Sequence, residues 1–311
     1  MKILQLDKNH PLITEQLSAK GFIIDEDTTS SYDEVLTKIS DYQGVIIRSR
    51  IPLDKNFLLR AKHLQFIARV GAGMENIDVE VANELGIMLI NSPEGNRDAV
   101  AEQTLGMLLV LMNRLWISAN EVKNGIWLRE ENRGEEIKGK TFGLIGYGNM
   151  GKAVAKRLSG FGCKVIFHDI KPNLSDEFAQ QVSLSELKQQ ADILSLHIPL
   201  TEETLYLVDD NFIAEMTKNF YFINTARGKN VKTSALVKAL ESAKIKGACL
   251  DVLEYEKSSF ENLETENEDL KYLLSSEKVI VTPHIAGWTH ESKTKLAQVI
   301  VDKILTHFEK K

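Results

Sequence analysis

Short apolar runs alternate with more polar stretches over the first third of the chain. The apolar runs are KILQLD, FII, GVIIRS, LQFIARV and IMLIN, and helix-forming stretches such as PLDKNFLLRA separate them. Two of these helices are expected to begin near Pro11 and Ser31, since proline fits the first helical position and serine accepts a hydrogen bond from the first turn. Unbroken apolar strands between helices predict a parallel sheet that is covered on both faces.

A second series of the same kind begins at Thr141. Its apolar runs are TFGLIG, KVIFHDI, DILSLHI, NFYFIN, IKGACLDV and KVIVTP. Helices are expected between them, at 151–160, 185–190, 209–216 and 231–242. Six strands with helical crossovers are typical of the doubly wound fold that binds dinucleotides.

Two long helices are expected to connect these series. Residues 98–116 are apolar on nearly all sides and predict one helix that is buried against more than one partner. Residues 289–309 predict a last helix that returns to the first series. We therefore expect an α/β protein with two doubly wound domains. A flavodoxin-like, split substrate domain (1–97 plus 285–311) would carry an inserted Rossmann domain (98–284), with the site in the cleft between them.

Composition narrows the classes of function. The chain has 311 residues and a formal net charge of −6, which argues against a nucleic-acid binder. Its two cysteines form no CxxC pair, so we expect neither a disulfide framework nor a metal site. No apolar run approaches the ~18 residues of a membrane helix, and the N-terminal run is too short for a signal peptide. These features predict a cytoplasmic protein with no membrane or nucleic-acid partner.

The stretch GLIGYGNMGKAV follows an apolar strand and opens a helix. Gly146 permits a tight turn, Gly148 lets the backbone approach a pyrophosphate at the helix N-terminus, and Gly151 lets helix and strand pack closely. Asp169 ends the next strand, 18 residues beyond Gly151. Its carboxylate can accept hydrogen bonds from the ribose hydroxyls and would repel a 2′-phosphate, so NAD is expected rather than NADP.

Three later motifs place ionisable side chains after strands. NTARG carries Arg227, GACLDVLEYEK carries Asp251 with two further acids, Glu254 and Glu256, and VTPHIAGWT carries His284. Ligands of open α/β sheets bind at the carboxyl ends of strands, so these side chains are expected to face one crevice.

Taken in order, these motifs resemble those of the D-isomer-specific 2-hydroxyacid dehydrogenases, most closely the D-3-phosphoglycerate dehydrogenases. RVGAGMENID (69–78) and DAVAEQTLGMLL (98–109) extend the resemblance over nearly the whole chain. The resemblance implies a split substrate domain around a Rossmann domain, NAD as cofactor, a small 2-hydroxy acid as substrate, and a homodimer formed through the NAD-binding domains. The apolar character of 98–116 agrees with packing against a second subunit.

Histidine titrates near neutrality and can take the hydroxyl proton in one direction and return it in the other, so His284 is the expected acid and base. A carboxylate on its second ring nitrogen would fix the tautomer, and the resemblance gives that role to Glu256. Arg227 would bind the substrate carboxylate and polarise the carbonyl. The resemblance places the nicotinamide carboxamide against Asp251.

The chain departs from the family pattern at one position. Lys257 stands where the family usually has proline, and Glu254 is a second acid two residues before Glu256. The spacing from the LDV triplet favours Glu256 as the partner of the histidine, and Glu254 remains the alternative.

The candidate sites can be stated as three sets. The candidate catalytic residues are Arg227, Glu256 and His284. The candidate cofactor-binding residues are Gly146, Tyr147, Gly148, Asn149, Met150, Gly151, Asp169, His197, Pro199, Thr204, Thr225, Ala226, Asp251, His284 and Gly287. The candidate substrate-binding residues are Arg48, Val70, Gly71, Ala72, Gly73 and Arg227.

The substrate side is less specific. The backbone N–H groups of the turn 70–73 can hold a carboxylate, although the same residues could form a mere turn. Arg48, Arg50 and Arg69 end neighbouring strands and could bind a phosphate, or they could be solvated or ion-paired instead.

The leading hypothesis is oxidation of 3-phosphoglycerate to 3-phosphohydroxypyruvate, a step of serine biosynthesis. Reduction of glyoxylate, hydroxypyruvate or another small 2-keto acid is the alternative. A dinucleotide-sensing binding protein is a third hypothesis. The chain ends at Lys311, just after the last helix, so no serine-binding regulatory domain is expected.

Overall fold

The computed structural model describes residues 1–256 and 267–308 and divides the chain into two compact units. Unit 1 comprises Met1–Asn96 and Trp288–Lys311, and unit 2 comprises Arg97–Gly287. The sequence predicts boundaries after residues 97 and 284, whereas the structure divides the chain after Asn96 and Gly287. Lys257 and the centre of the acidic stretch 254–277 lie outside the described residues.

The elements follow one another in regular alternation. The strands are β1 Lys2–Gln5, β2 Ile23–Glu26, β3 Gly44–Ile47, β4 Phe66–Arg69, β5 Met88–Asn91, β6 Thr141–Ile145, β7 Lys164–His168, β8 Gln180–Gln181, β9 Ile193–Leu196, β10 Phe220–Asn224, β11 Ile245–Leu250 and β12 Val279–Val281. The α-helices are α1 Leu12–Ala19, α2 Tyr32–Lys38, α3 Lys55–Arg60, α4 Val79–Glu84, α5 Pro93–Met112, α6 Leu115–Lys123, α7 Asn149–Leu158, α8 Leu184–Gln190, α9 Asp210–Glu215, α10 Thr233–Glu241, α11 Glu268–Ser275 and α12 His290–Phe308.

Unit 1 is a parallel sheet with the order β2-β1-β3-β4-β5, which is the flavodoxin-like order. All four residues of β3 are buried at its centre, because helices cover both faces of a parallel sheet. The last helix, α12, packs against α1, and Ile300, Val301 and Ile304 are fully buried there. Burial of each such side chain contributes about 1.5–3 kcal/mol relative to exposure. The predicted return of this helix is thus part of the core of unit 1.

Unit 2 is a parallel sheet with the order β12-β11-β10-β9-β6-β7-β8. The six predicted strands are all present, and the strand order reverses between β6 and β9, where a doubly wound sheet binds its ligand. The additional edge strand β8 consists of two glutamines and carries no apolar signal, so the sequence pattern could not indicate it.

The predicted helix 98–116 is wrong in its bounds. Helix α5 begins at Pro93, where a missing N–H costs nothing, and it ends at Met112 before a separate helix α6. The break has two visible causes: Arg114 adopts a left-handed φ of 51°, and the carbonyl of Met112 accepts a hydrogen bond from the N–H of Glu135 at 2.9 Å. The hydrogen bond from Glu135, a residue distant in sequence, thus takes the place of the next helical hydrogen bond to the carbonyl of Met112.

Candidate active site

The glycine loop after β6 has the geometry that its sequence predicts. Gly146 has a φ of +91°, and a Cβ there would lie 2.4 Å from the carbonyl oxygen of His197. A Cβ on Gly151 would lie 2.2 Å from the carbonyl oxygen of Gly146. By contrast, no described atom lies within 4 Å of a Cβ built on Gly148. Two glycines therefore allow close packing, and the middle one leaves open space in front of the backbone.

Asp169 lies directly beside this loop, after the end of β7. Its Oδ2 accepts a hydrogen bond from the N–H of Tyr147 at 2.7 Å, and its Oδ1 accepts one from the N–H of Lys171 at 2.9 Å. These bonds hold the carboxylate at the mouth of the loop. Helix α7 begins there with Asn149 and Met150, and its N-cap, Gly148, has no side chain to occupy the N-terminus.

The side chain of Tyr147 faces the interior, although the residue is a candidate for cofactor binding. Its ring is stacked on Phe167 with 3.7 Å between centroids, and its hydroxyl donates to Asp176 at 2.7 Å. Burial raises the pKa of this phenol. Only the backbone of Tyr147 is therefore placed to meet a ligand at the loop.

Replacing Asp169 with asparagine is expected to narrow the preference for NAD over NADP by about tenfold, or about 1.4 kcal/mol, because the repulsion of a 2′-phosphate is lost. The measurement is the ratio of kcat/KM for the two cofactors. Asp192→Ala is the control, since that carboxylate accepts the N–H of Thr141 at the opposite end of β6. An unchanged ratio in the Asp169 variant would contradict the assignment.

In the loop after β9, polar side chains form hydrogen bonds with residues nearby in the sequence. The His197 ring shares a 2.9 Å hydrogen bond between Nε2 and the hydroxyl of Ser195, and burial lowers the pKa of His197 to about 4. The imidazole is therefore neutral at physiological pH. The hydroxyl of Thr204 donates to the carbonyl of Pro199 at 2.7 Å. Both side chains stabilise the loop that lies next to Gly146.

The turn after β10 presents Arg227 through a buried asparagine. The Oδ1 of Asn224 accepts from the N–H of Ala226 at 3.0 Å, and its Nδ2 donates to the carbonyl of Arg227 at 2.9 Å. Thr225 lies between them, with its hydroxyl 3.2 Å from that of Thr104. Sequence reasoning missed Asn224, although asparagine often bonds to backbone two residues ahead and so indicates a turn in NTARG.

Asp251 organises the loop that carries His284. Its Oδ1 accepts from the hydroxyl of Thr282 at 2.5 Å and from the N–H of Ile285 at 2.9 Å, and its Oδ2 accepts from the N–H of Ala286 at 2.8 Å. Burial raises the pKa of Asp251, and these three donors oppose that effect. The observed contacts of this carboxylate are thus structural, and Gly287 follows directly after the last of its partners.

His284 and Glu256 form a direct pair. The Nδ1 of His284 lies 2.8 Å from Oε2 of Glu256, while Oε1 of Glu256 accepts from the N–H of Leu253 at 2.5 Å. His284 has a left-handed φ of 54°, which is uncommon for a residue other than glycine and is typical of functional sites. Glu254, the alternative partner, instead accepts from Tyr206 and from the backbone of Thr233.

In unit 1, arginine side chains lie at the carboxyl ends of β3 and β4. The guanidinium of Arg48 lies 4.5 Å from the ring centroid of Trp288. The backbone carbonyl of Arg48 accepts a hydrogen bond from Nε of Arg69 at 3.2 Å. A Cβ on Gly71 would lie 1.6 Å from the Arg69 guanidinium, so the glycine makes room for that cation.

The turn 70–73 is held by the strand beside it. The N–H of Gly71 donates to the hydroxyl of Ser92 at 3.0 Å, and Asn91 donates to the carbonyl of Ala72 at 2.7 Å. Val70 is buried at the start of the turn. A carboxylate nest would therefore have to use the N–H groups of Ala72 and Gly73.

The side chain of Arg50 holds neighbouring segments of unit 1 together and is not placed to bind a ligand. Its guanidinium donates to the backbone carbonyls of Leu6, Ser30 and Asp27 at 2.5, 2.5 and 3.0 Å. With its fork used in this way, Arg50 does not remain a candidate for binding phosphate.

Within residues 1–256 and 267–308, no group of three His, Cys, Asp or Glu side chains is placed to hold a metal ion. Among the helices that the structure describes, none has the length and apolar character needed to cross a bilayer.

The residues of unit 2 fit a bound dinucleotide. The open space at Gly148, the N-terminus of α7 and the carboxylate of Asp169 lie together at the point where the strand order reverses. The first two suit a pyrophosphate, and the third suits ribose hydroxyls.

Comparison with known proteins agrees with this geometry. Residues 105–286 match the family described as D-isomer specific 2-hydroxyacid dehydrogenase, NAD binding domain. The chain is 35% identical to a hydroxypyruvate reductase of Thermotoga maritima, over 88% of this chain and 87% of that protein. It is 34% identical to a D-3-phosphoglycerate dehydrogenase of Sus scrofa, over 96% of this chain and 55% of that protein, so it spans about half of that relative's length.

A solved structure supports the same relationship. A D-lactate dehydrogenase of Aquifex aeolicus, complexed with NAD and lactic acid, superposes with a TM-score of 0.85 at 28% identity. The superposition covers 99% of this chain and 96% of that one.

Proposed function

Because the chain belongs to the D-isomer specific 2-hydroxyacid dehydrogenase family and is an NAD-dependent oxidoreductase, we propose that it oxidises 3-phosphoglycerate to 3-phosphohydroxypyruvate, a step of serine biosynthesis. The observation that supports catalysis is the 2.8 Å pair between His284 and Glu256. The sequence similarity to phosphoglycerate dehydrogenases and the arginines of unit 1 support the phosphorylated substrate.

The acid–base step belongs to His284. Glu256 on Nδ1 favours the tautomer with the proton on that nitrogen, so Nε2 accepts the proton of the 2-hydroxyl group. The carboxylate stabilises the imidazolium that results. NAD, held by the loop at Gly148, the N-terminus of α7 and Asp169, would supply the hydride acceptor for this oxidation. In the reverse direction the imidazolium returns the proton to the carbonyl oxygen.

Arg227 binds the substrate carboxylate in this proposal. A guanidinium offers two parallel N–H donors to a carboxylate and keeps its charge at all relevant pH values. Asn224 fixes the backbone of the turn from which this side chain extends. The phosphate is assigned to Arg48 and Arg69, since Arg50 is bound to backbone carbonyls.

The test is NADH formation with D-2-hydroxy acids that differ only in the phosphate, chiefly D-3-phosphoglycerate and D-glycerate. We expect kcat/KM to be at least about tenfold higher for the phosphorylated acid, and Arg48→Gln to remove most of that difference. The second candidate function is reduction of glyoxylate, hydroxypyruvate or another small 2-keto acid. A preference for D-glycerate, with efficient reduction of hydroxypyruvate, would favour it. That candidate is supported by the similarity to the Thermotoga enzyme over 87% of its length. Failure to turn over any such acid would leave a dinucleotide-sensing protein.

We also propose that the chain forms a two-fold homodimer through unit 2. The apolar side chains of α5 lie mostly in the core of that unit, whereas α6 and the loop after it expose large ones. These exposed residues are Leu115, Trp116, Val122, Ile126, Trp127 and Leu128. Several large apolar side chains exposed along one short segment of the chain are typical of an interface. We place the enzyme in the cytoplasm, where the free thiols of Cys163 and Cys249 stay reduced.

Sedimentation is expected to give about 70 kDa, twice the 35.0 kDa of the chain. Trp127→Glu should shift the population to monomer. The Trp127 side chain is 81% exposed in the single chain, and a glutamate at this position would have its charge buried in the dimer interface. Leu274→Glu on α11 is the matched control and should leave the dimer intact. A monomer at micromolar concentration would contradict the assembly.

A further inference from the structure

We propose that Glu254 is a positioning residue for the reaction. It holds the turn that carries Glu256 against the turn that carries Arg227, and so fixes the partner of His284. The inference rests on the roles of Arg227, Glu256 and His284 proposed above.

The two oxygens of Glu254 bind two other segments of unit 2. Oε1 accepts from the hydroxyl of Tyr206 at 2.9 Å, and Oε2 accepts from the N–H of Thr233 at 2.9 Å. Thr233 is the first residue of α10, and the N-cap residue Lys232 makes no side-chain capping bond. The carboxylate therefore satisfies an orphan N–H at the positive end of the helix dipole.

The segments joined in this way are those that present the catalytic side chains. The N–H of Tyr206 donates to the carbonyl of Lys229 at 2.8 Å, two residues after Arg227. A Cβ on Gly228 would lie 1.9 Å from the carbonyl oxygen of Leu253, so the backbones of the two turns are in direct contact. Next to this contact, the carboxylate of Glu254 accepts the hydrogen bond from the N–H of Thr233 and so joins the two turns.

Glu256 depends on the same turn for its orientation. Its Oε1 accepts from the N–H of Leu253 at 2.5 Å, and its own N–H donates to the carbonyl of Leu253 at 3.2 Å. Leu253 and Glu256 flank Glu254 in sequence. A shift of the turn would therefore carry Glu256 away from Nδ1 of His284, and misplacement by about 1 Å can cost about a hundredfold in rate.

The test variant is Glu254→Ala in the full chain. We expect kcat for D-2-hydroxy acid oxidation to fall about 10- to 100-fold. We also expect the pH profile of kcat/KM to change, because a displaced Glu256 stabilises the charge that His284 gains during proton transfer less well. KM should change less than kcat.

Glu186→Ala is the matched control. Glu186 accepts from the N–H of Ser183 at 2.9 Å in the capping box of α8, so its removal also costs a helix cap in unit 2. It touches neither turn, and kcat and the pH profile should stay at the wild-type values.

Two milder variants keep the proposal testable if the alanine variant does not fold. Glu254→Gln retains an acceptor for Thr233 and should recover most of kcat. Tyr206→Phe removes one of the two bonds and should give an intermediate loss. Wild-type kcat and an unchanged pH profile in folded Glu254→Ala would overturn the positioning role, as would equal losses in Glu186→Ala. If Glu256→Gln is silent and Glu254→Gln is as poor as Glu254→Ala, the failure lies instead in the proposed partner of His284.

Discussion

Replacing His284 with alanine is expected to lower kcat for oxidation about a thousandfold or more, with little change in the dissociation constant of NAD. The variant has no group to accept the proton of the 2-hydroxyl, and general acid–base catalysis contributes about 10²- to 10⁴-fold. The side chain lies after β12, and the bonds that Asp251 makes to the loop come from backbone N–H groups and Thr282. The alanine variant should therefore keep the loop. Steady-state NADH formation and NAD titration are the two measurements.

Glu256→Gln provides the graded comparison for this variant. The amide can still accept from Leu253, but it carries no charge to stabilise the imidazolium. Its loss of kcat should therefore be smaller than that of the alanine variant, and its pH profile of kcat/KM should shift. Undiminished activity in His284→Ala would exclude this histidine as the acid and base.

The sequence predicted the fold well where the signal is local. Most strands of both units are apolar runs of four to six residues, and helices with identifiable first residues separate them. Buried parallel strands of this kind give a strong hydrophobic pattern in the sequence. Pattern alone could not give the break at Arg114, because one of its two causes is a hydrogen bond from Glu135 to Met112, residues far apart in the chain. Helix α5 shows that a proline can be the first residue of a long helix.

The candidate site could be predicted as a set of residues but not as a set of contacts. Spacing favoured Glu256 over Glu254, and the structure places Glu256 beside His284. Sequence could not show that the guanidinium of Arg50 is used by three carbonyls, because those carbonyls come from two other segments of unit 1. Nor could it show that Asp251 accepts three hydrogen bonds from the loop of His284. Such contacts depend on tertiary packing, to which a linear motif gives no access.

Replacing Arg227 with lysine is expected to lower kcat/KM for the 2-hydroxy acid about a hundredfold or more. The change keeps the positive charge and removes the planar fork, so the loss isolates bidentate binding of the carboxylate. One donor of that fork is already oriented by the structure, since Nη1 donates to the carbonyl of Ala226 at 2.6 Å. The measurement is kcat and KM for the acid at saturating NAD. Arg157→Lys is the control, because Arg157 pairs with Asp98 and Glu102 in the same unit and lysine keeps the charge of these partly exposed ion pairs.

The division of the Arg227 effect between kcat and KM tests how the residue acts. If the guanidinium only held the carboxylate, ground state and transition state would lose the same binding energy, and KM would rise while kcat stayed constant. We expect kcat to fall as well, because a cation beside the reacting carbon also stabilises charge that develops on the carbonyl oxygen. A rise in KM alone would restrict Arg227 to anchoring the substrate. Unchanged values of both constants would remove it from the site and leave the carboxylate to be bound by another cation.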